Sequence, residues 1–423
     1  MIRTLIAIGC LATAVWGAQY AVLVAGSNGY WNYRHQADVC HAYHVLINHG
    51  FAPANIILFS YNDVPTAALN PFPGTLYNFP GNHSVNVNEG CVKDYTGAAV
   101  NVTNFLAVIT GNKTAVQGGN GKVLKSGPND DVFINFVDHG APGLVAFPDT
   151  YLYADQLNSS LTYMHEHKMY RKLVFYLEAC ESGSMFQGIL SSRINVYATT
   201  AANTSESSWG TYCSPDSVIK GVNLMTCLGD LYSVNWMQNS DKANFATETL
   251  HEQFISVRNS TDQSHVKQYG NLTIASDTLN MFQGPGNGTT QTTPDMRTSH
   301  WRSYDVKLRT LYSLFVRNPS DENSLALISE INYRQDITQT FQTISTLLDP
   351  TGAENLFASA AAVRNFDCLR SSMDTFAQQC GWLQEYGLQY VNVLVNACEV
   401  GHSLAELNGA FTQACPAQRL KVE

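Results

Sequence analysis

Two short apolar runs constrain this chain more than anything else in it. Leu173–Leu177 (LVFYL) runs straight into Glu-Ala-Cys-Glu-Ser-Gly-Ser, so a buried strand ends where a tight polar loop begins, with Cys180 in that loop. Asp131–Val137 (DVFINFV), apolar and rich in β-branched residues, stops in the same way at Asp138-His139-Gly140. Open α/β sheets expose their ligand crevice at the carboxyl ends of the strands. A thiol and an imidazole at two such ends can meet if the strands are neighbours.

The remaining pattern agrees with such a sheet. Tyr20–Ala25, Asn55–Ser60 and Ile194–Thr199 read as further strands. Val39, Tyr43, Leu46 and Ile47 recur at helical spacing before Gly50, and Ala154–His167 reads as a second helix. Strands alternating with helices predict a mainly parallel sheet covered on both faces. The pattern fades after Gln283. Gly284–Arg302 is rich in Gly, Pro, Thr and Ser and is expected to be a linker. Beyond about Asp305 the chain turns helical and carries four cysteines, which predicts a separate small helical domain.

Composition excludes some partners. A 45% hydrophobic content with 14% charged residues supports a large core, and a net charge of -10 argues against nucleic acid and anionic membranes. Arg3, the apolar stretch Leu5–Val15 and the small residue Gly17 form a secretory signal, with cleavage expected after residue 17. No later run is long enough to span a bilayer, so no membrane anchor is expected. Sequons at Asn82, Asn101, Asn112, Asn158, Asn203, Asn259, Asn271 and Asn287 fit passage through the secretory route.

Cysteine arithmetic then singles out a few thiols. Of ten cysteines, loss of Cys10 with the signal leaves nine, an odd number in an oxidising compartment. Cys368, Cys380, Cys398 and Cys415 are expected to form two disulfides in the tail, and Cys213 and Cys227 flank one loop. Cys40, Cys91 and Cys180 are left over.

Long strings of this sequence resemble one family. Glu178-Ala-Cys-Glu-Ser-Gly-Ser-Met185, Val137-Asp-His-Gly140 and the stretch from Ala25 through Gly-Ser-Asn-Gly-Tyr-Trp-Asn-Tyr-Arg-His-Gln-Ala to Asp38 are similar to legumain, the asparaginyl endopeptidases of cysteine protease clan CD, peptidase family C13. Tyr170-Arg-Lys, Asn195–Ala202, Leu228–Trp236 and Ser264–Gly270 extend the resemblance, and the four-cysteine tail resembles the family's helical prodomain. It implies a caspase-like, mainly parallel sheet flanked by helices, followed by an all-α, death-domain-like prodomain. The expected boundaries are 1–17 signal, 18–284 catalytic domain, 285–323 linker and activation peptide, and 324–423 inhibitory prodomain.

The resemblance also assigns roles. Cys180 is the expected nucleophile, His139 its proton donor and acceptor, Asn32 the residue that orients the imidazole, and the N–H groups of Gly140 and Cys180 the receivers of the oxyanion. Arg34, Glu178 and Asp230, with His35 and Ser208 beside them, are expected to line a pocket for asparagine. That side chain presents two donors and an acceptor, so its pocket needs acidic and basic walls together. On the residues alone, Arg34 and Asp230 read as a salt bridge between two strand ends.

The implied activity is hydrolysis after Asn, and more weakly after Asp in acid, by an enzyme made as a zymogen. Self-cleavage is expected at Asn323, or at Asp321, because Pro319 makes the bond after Asn318 a poor substrate. The alternative is a peptide ligase of the same fold, since the Cys213–Cys227 loop, expected to close by a disulfide, looks like that of plant members. Thr110-Gly111-Asn112 stands where some relatives carry an integrin-binding tripeptide, so no integrin contact is expected there. Neither cofactor nor metal is implied. Expected partners are substrates with exposed Asn, the chain's own prodomain and cystatin-type inhibitors, in a lysosome, a vacuole or outside the cell.

Overall fold

The structure is a computed structural model and describes residues 17–286, 299–358 and 360–415. The expected signal, including Cys10, and the sequon at Asn287 lie outside the described residues.

Six strands build the central sheet: β1 Gln19–Ala25, β2 Ile56–Phe59, β3 Asp131–Val137, β4 Lys172–Glu178, β5 Val196–Thr200 and, later in the chain, β8 Lys267–Gly270. Their spatial order is β8-β5-β4-β3-β1-β2. All neighbours are parallel except β8, which closes one edge antiparallel to β5. β3 and β4 lie side by side at the centre, in register from Asp131↔Lys172 to Val137↔Glu178.

Alternation along each strand explains why both faces are covered. Leu23, Phe133, Val174 and Tyr176 point to one face, where they pack with helix α1 (Tyr33–Asn48), α4 (Leu231–Lys242) and α5 (Leu250–Ser260). Val22, Ile134, Phe136, Leu173 and Phe175 point to the other, against α2 (Val102–Ile109) and α3 (Ala154–Glu166). A strand apolar at nearly every position has no solvent face to offer, which is what the opening runs predicted.

Beside the sheet, β6 (Trp209–Cys213) pairs antiparallel with β7 (Cys227–Asp230), and the Cys213–Cys227 disulfide ties them together. β9 (Trp301–Arg302) adds to the free edge of β6. The stretch expected to be a featureless linker therefore carries structure: β9, helix α6 (Val306–Arg317) and the first turn of α7 (Asp321–Leu348). Its polar composition hid a strand that forms only by pairing with β6.

The C-terminal helices, α7 with α8 (Phe366–Cys380), α9 (Val391–Val400) and α10 (Leu404–Ala414), form their own core around Phe341, Phe376, Leu394 and Phe411. Cys368–Cys398 and Cys380–Cys415 staple it. Cys40 and Cys91, left without partners by sequence arithmetic, are bonded to each other. Fifty-one residues separate them, so only the fold could bring them together. Cys180 is the free cysteine among the described residues.

Candidate functional site

The site begins at the carboxyl ends of three adjacent strands. β1 and β3 pair up to Ala25↔Val137, and β3 and β4 up to Val137↔Glu178. Two residues beyond these last pairs stand His139 and Cys180, on neighbouring chains. The Asp138 N–H donates to the Glu178 carbonyl at 3.0 Å, holding the two loops together. Gly140 is required by this approach, since a Cβ there would lie 2.1 Å from the Cys180 carbonyl oxygen. Directly after Cys180, Glu181 adopts a left-handed conformation at φ 48°, a strained turn of the kind found at functional loops.

The loop after β1 delivers the next group. A short 3-10 turn, Tyr30–Asn32, precedes α1, and from it the Asn32 Oδ1 accepts from His139 Nε2 at 2.8 Å. Asn32 Nδ2 donates to the Asn28 carbonyl, which fixes the amide's orientation. His139 therefore carries its proton on Nε2 and keeps a lone pair on Nδ1, and that buried atom has no hydrogen-bond partner. Burial, helped by the nearby Arg34 charge, holds the imidazole well below its ordinary pKa, so it is neutral.

Arg34 and His35 follow on the first turn of α1. Arg34 Nε donates to Asp230 Oδ1 at 2.7 Å, with both side chains fully buried. Glu178, the last residue of β4, accepts through one oxygen from the N–H and hydroxyl of Ser233 in the first turn of α4. Asp38 accepts from the Asp230 N–H at 3.1 Å and from the Asn78 amide. Asp230 and Glu178 thus face the guanidinium, and Asp38 backs onto Asp230. Burial first, and mutual repulsion second, push Asp38 and Glu178 well above the usual carboxylate range. Burial also raises Asp230, though Arg34 opposes the rise. One oxygen of Glu178 and one of Asp230 remain buried without a hydrogen-bond partner.

Cys180 is fully buried. Its Sγ lies 3.4 Å from the Ser208 N–H, 3.4 Å from Ser207 Oγ and 3.7 Å from Ser208 Oγ. Burial pushes the thiol up to about 11, and the Glu181 charge adds to the rise, so the sulfur is protonated and silent at neutral pH.

What buries it is the chain's own later segment. The Ser303 N–H donates to the Ser208 carbonyl at 3.0 Å, and Arg34 Nη2 donates to Ser303 Oγ at 2.8 Å. Together with the antiparallel pairing of β9 on β6, this runs a peptide past Cys180 with Ser303 turned into the Arg34 pocket. Tyr304, next in sequence, donates to Glu181 and reaches the Gly140 carbonyl at 3.1 Å. From the helical tail, Glu385 accepts from Trp31 Nε1 at 2.9 Å and from Asn32 Nδ2 at 3.2 Å. Burial alone would raise the Glu385 carboxyl. Lys307, on α6, and His139 outweigh it and hold the group at about 2.

The structure therefore brings Asn32, Arg34, His35, His139, Gly140, Glu178, Cys180, Ser208 and Asp230 into one region. Asn323 and Asp321 lie elsewhere, in the first turn of α7, where the Asn323 N–H is capped by Ser320. Among the sequons, Asn82, Asn112 and Asn259 are exposed, while Asn101, Asn158, Asn203 and Asn271 are half-buried. Sequence reasoning missed Ser303, Tyr304, Lys307 and Glu385. No local pattern marks them, since each matters only through contacts with segments far away in the sequence.

A Peptidase C13 family model matches residues 19–285, and a legumain prodomain model matches residues 326–415. A vacuolar-processing enzyme of Vicia sativa is 40% identical over 94% of this chain and 86% of its own length. A hemoglobinase of Schistosoma mansoni is 43% identical over 94% of this chain and 91% of its own. Among solved structures, caspase-1 from Spodoptera frugiperda aligns with a TM-score of 0.36 at 10% identity, covering 66% of this chain and 93% of that one.

Proposed function

The chain belongs to the Peptidase C13 family and carries a legumain-type prodomain, and from that premise we propose that it is a zymogen that hydrolyses peptide bonds after asparagine. Cys180 attacks the carbonyl once uncovered, His139 takes the thiol proton on Nδ1 and returns it to the leaving amine, and water resolves the acyl-enzyme. The Gly140 and Cys180 N–H groups receive the oxyanion. Asn32 keeps the imidazole in the tautomer this sequence needs.

One observation carries the specificity. The pocket holds two buried carboxyl oxygens that make no hydrogen bond, on Glu178 and Asp230, and one guanidinium whose free arm is taken by Ser303. An asparagine side chain would donate its two amide hydrogens to the first pair and accept from the Arg34 arm. Leucine would leave all of them unpaired, a penalty worth roughly 10⁴-fold or more in discrimination. Aspartate fits when protonated, so its cleavage belongs to acid conditions.

Inhibition by the tail follows from the same contacts. Ser303 occupies the pocket directly after the β-paired Trp301–Arg302, at the start of a 3-10 turn, Ser303–Asp305, and its side chain is too short to reach both acceptors. Tyr304 and Glu385 complete the cover over Cys180 and His139. Acid loosens that cover, and cleavage at Asn323, or at Asp321, requires the first turn of α7 to unwind, because a bond to be cut must lie extended in the site. Vacuolar or lysosomal delivery suits an enzyme held silent until acidified. The test is hydrolysis of matched peptides carrying Asn, Asp or Leu before the cut, by acid-treated protein. A preference for Leu, or equal rates on all three, would sink this reading.

A further inference from the structure

Three donor groups beside the candidate thiol stand close together, two of them without the partners that buried polar atoms require. His35, Asp138 and His139 each offer one donor atom, and these lie within 4.8 Å of one another. All three side chains are buried; Asp138 Oδ2 and His139 Nδ1 make no hydrogen bond, and His35 Nε2 has only Asp230 Oδ2 beside it, at 3.5 Å. Unpaired buried donors and acceptors are uncommon and need a reason. One such atom could be a defect of packing; two on consecutive residues, with a histidine beside them, describe a place for something to bind.

We propose that His35, Asp138 and His139 form a binding site for a divalent transition-metal cation of the zinc class. Two imidazoles and one carboxylate are the ligand set that such an ion takes when it keeps a fourth position open. A four-coordinate ion with bonds of about 2 Å wants its donors about 3.3 Å apart, so small side-chain rotations close the set. Second-shell bonds already orient two of the ligands. Ser27 Oγ lies 2.6 Å from His35 Nδ1, and Asn32 Oδ1 accepts from His139 Nε2.

The site has an entrance. A cavity of ≈ 290 Å³ opens beside it, lined by Ser27, Asn32, Asp138 and His139 on one side and by Lys307 and Glu385 on the other. Binding would use the lone pair on His139 Nδ1, the atom that must accept the thiol proton. The cation would therefore act as a reversible inhibitor. That consequence rests on the reading of His139 as the base, whereas the binding itself does not.

Titration of full-length protein carrying Cys180→Ala with Co²⁺, followed by visible absorption, and with Zn²⁺, followed by calorimetry, reads the binding without the thiol as a ligand and without self-cleavage. One equivalent with a tetrahedral cobalt band is expected, weakened at least tenfold by His35→Gln and by Asp138→Asn in protein whose circular dichroism is unchanged. Absence of the cobalt band, or binding that neither variant weakens, overturns the site. Zn²⁺ should also inhibit peptide cleavage by the activated, unsubstituted enzyme, with recovery on adding chelator. Inhibition there without binding by the Cys180→Ala protein would assign the metal to the thiol and overturn the proposal. Binding without inhibition would preserve the site and count against His139 as the base.

Discussion

Arg34 reaches Ser303 across 269 residues of sequence, at 2.8 Å. The contact puts a serine of the covering segment where an incoming side chain would meet the guanidinium, in a peptide paired with β6. A cover built like a substrate is bound by the same interactions that bind substrate, so it competes directly.

Ser303→Asn should turn the cover into a substrate. The longer amide reaches the free oxygens of Glu178 and Asp230, and cleavage after residue 303 should appear on mild acidification, read by mass spectrometry. Persistence of an intact 303–304 bond under conditions that activate the parent would remove Ser303 from the pocket. Ser303→Ala loses one hydrogen bond to a charged group, about 1.5–3 kcal/mol, and should loosen the cover without creating a cut.

Cys180→Ala should abolish peptide hydrolysis while the zymogen stays folded with a melting temperature within a few degrees of the parent. The hydrogen-bond contacts of the thiol with Ser207 and Ser208 are long, so their loss costs little. Measurable turnover of the Asn peptide by this variant would rule out the thiol mechanism.

Glu385 and Glu181 should pull the pH dependence of the cover in opposite directions. Glu385 is depressed to about 2 in the covered chain from an ordinary 4.5, so it stabilises docking above about pH 4.5 and loses that contribution as pH falls towards 2. Burial raises Glu181 to about 8, so docking requires it to take up a proton; that cost is present at neutral pH and vanishes in acid. In a Cys180→Ala background, where self-cleavage cannot interfere, Glu385→Gln should open the cover at higher pH, whereas Glu181→Gln should tighten it near neutral pH and leave opening in acid unchanged. Prodomain release after a single external nick, followed by gel filtration from pH 7 to 3, measures both. Identical profiles for Glu385→Gln and its parent would exclude the latch.

Arg34→Ala should be destabilising as well as inactivating. It strands the buried Asp230 carboxyl, and breaking one side of a buried pair costs about 3–5 kcal/mol. Arg34→Lys keeps the charge but loses the fork that serves Asp230 and Ser303 at once. It should fold better than the alanine variant and still lose most Asn-over-Leu selectivity. Urea denaturation and paired kcat/KM values separate the two effects.

Removing the Cys40–Cys91 bond by a double serine substitution should cost about 4 kcal/mol on chain-entropy grounds, given a separation of 51 residues. Thermal melting of the oxidised parent and the variant checks this. An unchanged melting temperature would mean that the bond adds nothing to stability.

Much of the site was legible in the order of residues because the sheet repeats a local rule. A strand apolar at nearly every position must be buried on both faces, so β3 and β4 and their polar ends could be read directly from DVFINFV and LVFYL. The helix after β1 was also readable, from its 3.6-residue period, although its first turn starts earlier than the apolar pattern does. The motif strings around Cys180, His139 and Asn32 carried the family resemblance, since these residues sit within short, continuous segments.

By itself, then, the sequence determined which strands are buried, which residues crown their ends, and which family the chain resembles. Periodicity and motif are properties of neighbours along the chain, so they survive without a fold. Only the tertiary structure decided that β3 and β4 are adjacent, that Cys40 meets Cys91, that a polar linker becomes β9, and that Ser303 and Glu385 close over the site. Those are pairings between distant segments. Their free energy comes from burial and from hydrogen bonds that exist only once the chain has closed loops of fifty to several hundred residues, and composition holds no record of which loops close.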